Sequence, residues 1–178
     1  MYLVLSTSLN PDSRSRTLAT AAAAALAARQ QPCELIDLQQ CPLPPCDGGN
    51  CYGDPQVRWL AERIRAASGV LLASPIYNYD MAASAKNLIE VTGKAWSEKI
   101  VGFLVSAGGQ GSWMSVMGMA NSLMLDFRCL IIPRFVYVTE SMMTSASPLD
   151  QAIVERIDRL AGDLVRLGEA LARPDSQA

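Results

Sequence analysis

The chain of 178 residues contains no histidine. That absence excludes Ser-His-Asp and Cys-His catalysis, histidine metal sites and histidine general bases. Any chemistry must come from carboxylates, hydroxyls, thiols or a bound cofactor. Charge is also scarce: charged residues make up 18% of the chain and the formal net charge is -2, so there is no cationic footprint for nucleic acid. Long apolar runs are missing. The stretch ATAAAAALAA (Ala19 to Ala28) is too short and too weakly apolar to cross a bilayer. No basic region precedes the opening YLVL and no cleavage-like site follows it, so neither a secretory signal nor a membrane partner is expected, and the cytoplasm is the default location. Neither GxxxxGK[ST] nor GxGxxG occurs, which removes the usual machinery of nucleotide hydrolysis and of dinucleotide turns.

The five cysteines, Cys33, Cys41, Cys46, Cys51 and Cys129, form no Cys-x-x-Cys, so a disulfide framework or zinc ribbon is not expected. Three of them recur every five residues in CPLPPCDGGNC, either as reduced loop thiols or as a redox or metal element. Cys129 to Arg134 is one residue short of a Cys-x5-Arg loop and reads as a strand.

What the chain does have is hydrophobicity, at 50% of residues, in a regular alternation of strand-like and helix-like segments. Strands are expected at Tyr2 to Ser6, Cys33 to Leu38, Gly69 to Ala73, Ile100 to Ser106 and Cys129 to Val138. Helices are expected at about Ser13 to Arg29, Pro55 to Ala67 with Asp54 as cap, Met81 to Thr92 stopped by Gly93, Trp113 to Phe127, and Pro148 to Ala172. The last of these places Ile153, Ile157, Leu160, Leu164 and Gly168 on one face. Strands rich in Val, Ile and Leu without polar alternation need a parallel sheet covered on both sides. The expectation is one α/β domain over residues 1–178, doubly wound, five-stranded, parallel, in the order 2-1-3-4-5 with helices on both faces, and residues 173–178 as a frayed tail.

In such a sheet ligands bind where the strand order reverses, at the carboxyl ends of the first and third strands. The polar residues collect in the loops that meet there: STSLNPDSRSRT after strand one, SPIYNYD after strand three and SAGGQGS after strand four. The first offers hydroxyls and free N–H groups at a helix start, which suits an anion. The second sets Tyr77, Asn78 and Tyr79 after Pro75, giving flat faces and an amide to read a ring edge. The third lets the main chain approach a ligand closely. Each loop has a plainer reading: Ser13 or Asp12 as a helix cap, the tyrosines as half-buried loop aromatics, the glycines as a flexible turn. Together, phosphate at one end and a planar heterocycle at the other describe flavin mononucleotide.

These residues resemble the NADPH-dependent FMN reductases of the flavodoxin-like fold. The family's opening Gly-Ser-Leu-Arg-x-x-Ser-x-Asn is similar to Thr7-Ser8-Leu9-Asn10-Pro11-Asp12-Ser13-Arg14-Ser15. Its Pro-Glu-Tyr-Asn, followed by a Leu-Lys-Asn-x-x-Asp helix, is similar to Pro75-Ile76-Tyr77-Asn78 and Ala85-Lys86-Asn87-Leu88-Ile89-Glu90. The resemblance implies that Ser8, Asn10, Ser13 and Ser15 hold the phosphate, and that Pro75, Ile76, Tyr77, Asn78, Tyr79, Ser106, Gly108 and Gly109 border the ring. Asn10 stands where the family has Arg, which passes charge compensation to Arg14 or Arg16. Lys86 and Asn87 would fix the loop or a subunit interface. Asp80 adds a carboxylate near the ring that disfavours a phosphorylated nucleotide, leaving NADPH or NADH open.

The implied activity is hydride transfer from NADPH or NADH to FMN and on to a small acceptor: a quinone, azo compound, metal oxyanion or free flavin. No dedicated catalytic residue is implied. The rival readings are a flavodoxin-like electron carrier and a non-catalytic redox-sensing flavin protein. The Trp113 to Phe127 segment is apolar nearly all round, so it predicts a homodimer or homotetramer through that helix, unless the chain's own last segment covers it.

Overall fold

The computed structural model describes residues 1–143 and 149–172. In chain order the elements are β1 (Tyr2–Ser6), α1 (Arg14–Ala28), β2 (Cys33–Asp37), α2 (Pro55–Ala66), β3 (Gly69–Tyr77), β4 (Asp80–Met81), α3 (Ala83–Thr92), β5 (Ile100–Ala107), α4 (Met117–Phe127), β6 (Leu130–Ile131), β7 (Val136–Thr139) and α5 (Gln151–Leu171). The sheet runs β2-β1-β3-β5, with β6 and β7 both parallel to the outer side of β5. This is the expected doubly wound order, its fifth position filled by two short strands instead of one. Between them lie Ile132 to Phe135, where Pro133 has no N–H to give the ladder. The tail at 173–178 and the expected helix start at Pro148 lie outside the described residues.

Two apolar layers sandwich the sheet. Leu3, Leu5, Leu72, Phe103 and Val105 face α2, α3 and α4, where Leu60, Leu88 and Leu123 meet them. Val4, Leu71, Leu104 and Val136 face α1 and α5, against Leu18, Leu26, Ile157, Leu160 and Leu164. α5 crosses so closely that a Cβ on Gly102 would lie 2.9 Å from Leu160 Cδ1 and 2.8 Å from Leu71 Cδ2. Gly93, at φ +47, ends α3.

Two boundaries depart from the periodicity in ways that shape the crevice. β3 runs on to Tyr77, four residues past the expected end, because Pro75 costs the sheet nothing there. Ala73 bonds β1 through Thr7 N at 2.9 Å, and Pro75, two residues on, points to that same side, where β1 has already ended. β3 then folds back on β4, pairing Tyr77 with Asp80 around Asn78 (φ +50) and Tyr79 (φ +67). Two successive left-handed residues make a two-residue hairpin turn; Asn tolerates that conformation and Tyr adopts it under strain. The second departure is α4, which starts at Met117 rather than Trp113. Trp113 belongs to the preceding loop and stacks on Phe135, with ring centroids 5.8 Å apart.

Candidate flavin site

A cavity of about 600 Å³ opens at the carboxyl ends of β1, β3 and β5, at the switch point. Its walls are Ser8, Asn10, Asp12, Ser13 and Arg14 from the first loop, Pro75, Ile76, Tyr77 and Asn78 from the second, and Ser106, Ala107 and Gly108 from the third. Ten of the thirteen residues expected at the site therefore border one cavity, with Asp12 and Ala107 added. Ser15, Tyr79 and Gly109 lie beside it. Ser15 is fully buried and its Oγ lies 2.9 Å from Ser13 Oγ. Tyr79 is 57% exposed at the hairpin tip. The Gly109 carbonyl accepts a hydrogen bond from the Tyr137 hydroxyl.

The first loop is held by its own hydroxyls. Ser13 caps α1, its Oγ accepting from Arg16 N at 3.3 Å while it also lines the cavity, so the cap and ligand readings are compatible. Thr7 Oγ1 donates to the Ala73 carbonyl at 3.1 Å, and Ser84 Oγ donates to the Thr7 carbonyl at 2.5 Å, tying β1, β3 and α3 together. Ser8 Oγ accepts from Asn10 N at 3.3 Å, and Asn10 Oδ1 accepts from Asp12 N at 3.0 Å.

The two arginines divide the work. Arg16 is turned away from the cavity and braced to Asp37, with Nε 2.5 Å from Oδ2. Its remaining N–H groups donate to the carbonyls of Ser8 (3.2 Å), Asn10 (2.9 Å) and Pro11 (2.7 Å). With those carbonyls gathered beneath the loop, Arg16 is structural and not available to a phosphate. Arg14 lines the cavity and ion-pairs with Glu140. It is the one cation among the cavity's lining residues, faced by the Asp12 carboxylate. Nothing in the sequence pattern points to Glu140, which lies 126 residues from Arg14.

Asp80 is not in the cavity. Its Oδ1 accepts from Met81 N at 2.7 Å, and the carboxylate lies within 4 Å of where a Cβ on Gly118 would sit, beside the first turn of α4. A carboxylate is favoured at that helix end. The expected repulsion of a phosphorylated nucleotide by Asp80 therefore loses its geometric basis.

The Cys-rich loop is pinned from α3. Asn87 Oδ1 accepts from Cys46 N at 2.8 Å and Asn87 Nδ2 donates to the Pro44 carbonyl at 3.0 Å, so Asn87 fixes the loop, while Lys86 pairs with Glu90 at 3.1 Å. All five cysteines are free thiols. Burial pushes Cys33 and Cys129 up to about 11, leaving both protonated and inert near neutral pH.

The lining fits FMN. Hydroxyls, one guanidinium and the start of a helix stand at one end, the donor set that suits a phosphate. At the other, a Cβ on Gly108 or Gly109 would meet no atom of the chain within 4 Å, and neither residue has positive φ. The chain's own packing does not demand glycine there, and the bare backbone leaves room for close approach of a ligand.

The outer side of α4 carries Met117, Met124 and Leu125 exposed, while Met119, Ala120 and Leu123 are buried. α5 packs on the opposite face of the sheet, so this helix does not cover it. No helix among the described residues is long and apolar enough to cross a membrane.

Comparison with known proteins bears on the family and the fold. A quinone reductase of Escherichia coli K12 is 26% identical over 125 residues, which is 66% of this chain and 65% of that protein. The chain thus matches just under two thirds of the length of its curated relatives. An NAD(P)H:acceptor oxidoreductase from Paracoccus denitrificans superposes with a TM-score of 0.75 at 20% identity, covering 95% of this chain and 97% of that one. An NADH:FMN oxidoreductase in its apo form gives 0.77 at 14% identity, covering 98% and 91%. A WrbA-like flavodoxin from Agrobacterium tumefaciens gives 0.68 at 12% identity, covering 95% and 97%. The sequence pattern of the NADPH-dependent FMN reductases matches residues 2–142, and the chain belongs to that family.

Proposed function

We propose that the protein is an FMN-dependent oxidoreductase that takes hydride from NADPH or NADH and reduces a small acceptor. The observation that carries this is the single cavity in which a hydroxyl-rich helix start faces a Pro-Tyr-Asn wall and a glycine-bearing strand end. The bound flavin supplies the hydride chemistry, which is why a chain without histidine suffices. The protein's part is to hold and orient. Ser8, Asn10, Ser13 and the N–H groups that open α1 take the phosphate, Ser15 orients Ser13, and Arg14 supplies the charge that Asn10 does not. Pro75, Ile76, Tyr77 and Asn78 form one border of the ring and Ser106, Gly108 and Gly109 the other. Tyr77 and Tyr79, both more than half exposed, give flat surface at the mouth for the ring of an incoming substrate.

The acceptor class is a small planar oxidant, with quinones first because the Escherichia coli relative is a quinone reductase. The exposed methionine side of α4 supports assembly as a homodimer or homotetramer. The chain's lack of charge excess supports a cytoplasmic small-molecule enzyme rather than a partner of membranes or nucleic acid.

Anaerobic mixing of the FMN-loaded protein with NADPH or NADH, followed in the flavin absorption bands, tests the reading. Rapid bleaching, reversed by a quinone, is expected. Bleaching by dithionite alone would make the protein a carrier of the flavodoxin kind.

A further inference from the structure

A second cavity, of about 420 Å³, lies next to the first at the outer edge of the sheet. The loop after β5 separates them: Gly108 lines the flavin cavity, and Gln110 and Trp113 line the second. Across it stand Phe135, just before the edge strand β7, and Tyr137 within that strand, with Tyr137 bonded to the carbonyl of Gly109 in the dividing loop. Two arginines, Arg134 and Arg156, border this cavity, and no carboxylate does.

That charge balance is unusual for a chain of net charge -2. Arg156 donates Nη1 to the Tyr137 carbonyl at 3.2 Å and, among the described residues, pairs with no carboxylate. Arg134 reaches Asp163 at 3.2 Å, but Asp163 is shared with Arg166 at 3.0 Å, so one carboxylate serves two guanidiniums. Trp113 and Phe135 lie stacked, 23° from parallel, and form a flat aromatic wall. Flat rings beside guanidinium groups recognise a planar heterocycle that carries an anion. The volume is that of a small-molecule pocket.

We propose that this edge cavity binds the phosphorylated adenosine end of NADPH. The assignment rests on the reductase reading above. A single-ring acceptor must react in the flavin cavity and has no need of a neighbouring one. A dinucleotide has its reactive ring at one end and an anionic purine at the other, and the two cavities divided by one loop match those two ends. Arg134 and Arg156 take the phosphate, and the Trp113–Phe135 wall takes the purine. The same arrangement makes these arginines the residues that distinguish NADPH from NADH, a choice that Asp80, turned toward α4, does not make.

Isothermal titration with adenosine 2′,5′-bisphosphate tests this, because the probe carries neither flavin nor nicotinamide. Binding to the wild-type protein is expected with or without FMN present. Arg134→Glu, a change on an exposed side chain that removes no packing, weakens it about tenfold or more, the loss of one charge-assisted hydrogen bond. Arg156→Lys retains part of the affinity. In turnover the same variants raise KM for NADPH more than KM for NADH. Unchanged probe affinity in both variants, or displacement of the probe by FMN in competition, would overturn the assignment. Probe binding by a protein that never retains FMN would overturn the reductase reading and leave the nucleotide site standing. FMN retention without probe binding does the reverse.

Discussion

Replacing Arg16 with alanine tests how the first loop is built. Its guanidinium joins Asp37 on β2 to the loop through the carbonyls of Ser8, Asn10 and Pro11. The Arg16 side chain is 21% exposed and that of Asp37 11%, so the pair lies between a surface bridge and a buried one. Exposed pairs contribute about 0.2–1 kcal/mol, and breaking a buried one costs about 3–5 kcal/mol. A loss of about 2–3 kcal/mol follows, because Asp37 is left largely buried without its partner. For a domain of this size that lowers Tm by about 5–10 °C. The carbonyls of Ser8 to Pro11 are then free to turn toward the cavity, where they repel a phosphate, so FMN affinity falls about tenfold, or ~1.4 kcal/mol. Thermal unfolding by circular dichroism and FMN titration by flavin fluorescence measure the two effects. In the double variant Arg16→Ala/Asp37→Asn, stability returns in part because no charge is stranded, while FMN affinity stays low. A Tm within about 2 °C of wild type together with unchanged FMN affinity would show that Arg16 supports nothing, and the account of the loop would fail.

Three further outcomes follow from other parts of the fold. Gly102→Ala places a methyl group between Leu71 and Leu160, each closer than 3 Å, and destabilises by about 1–3 kcal/mol in chemical denaturation, with FMN affinity of the folded protein unaltered. Glu140→Gln releases Arg14 from its ion pair and tightens FMN by about two- to fivefold while leaving riboflavin unchanged; an equal gain for both flavins would place the effect away from the phosphate. Asp47 is held at about 2 rather than 3.8, first by the Cys51 thiol and then by the N–H groups of Cys51 and Gly49. A carboxyl depressed by folding contributes stability above its ordinary value and loses it as pH falls through the folded value. The Tm difference between wild type and Asp47→Asn is therefore full above about pH 4 and closes toward pH 2; a difference constant with pH would refute the assignment.

The sheet order and nearly every helix were legible in the sequence, because buried parallel strands are continuous apolar runs and the helices carry caps such as Asp54 and stops such as Gly93. The polar loops were legible too, since hydroxyls, Tyr-Asn and paired glycines interrupt that pattern at three strand ends. Three things were not. The Tyr77 to Asp80 hairpin is hidden because its turn pairs Asn78 with a tyrosine rather than a glycine, and the apolar run that marks the strand stops at Ala73. Composition alone places Trp113 in α4, while its stacking on Phe135 depends on a contact 22 residues away in sequence that periodicity does not encode. The separate duties of Arg14 and Arg16 are decided by Glu140 and Asp37, partners that only the fold brings near.

A crystal structure of the protein grown with FMN decides where the flavin sits. The phosphate is expected against Ser8, Asn10, Ser13 and Arg14, with the ring between the Pro75–Asn78 wall and the Ser106–Gly109 segment. Flavin bound at any other place, or a protein that takes up no FMN at all, would contradict it.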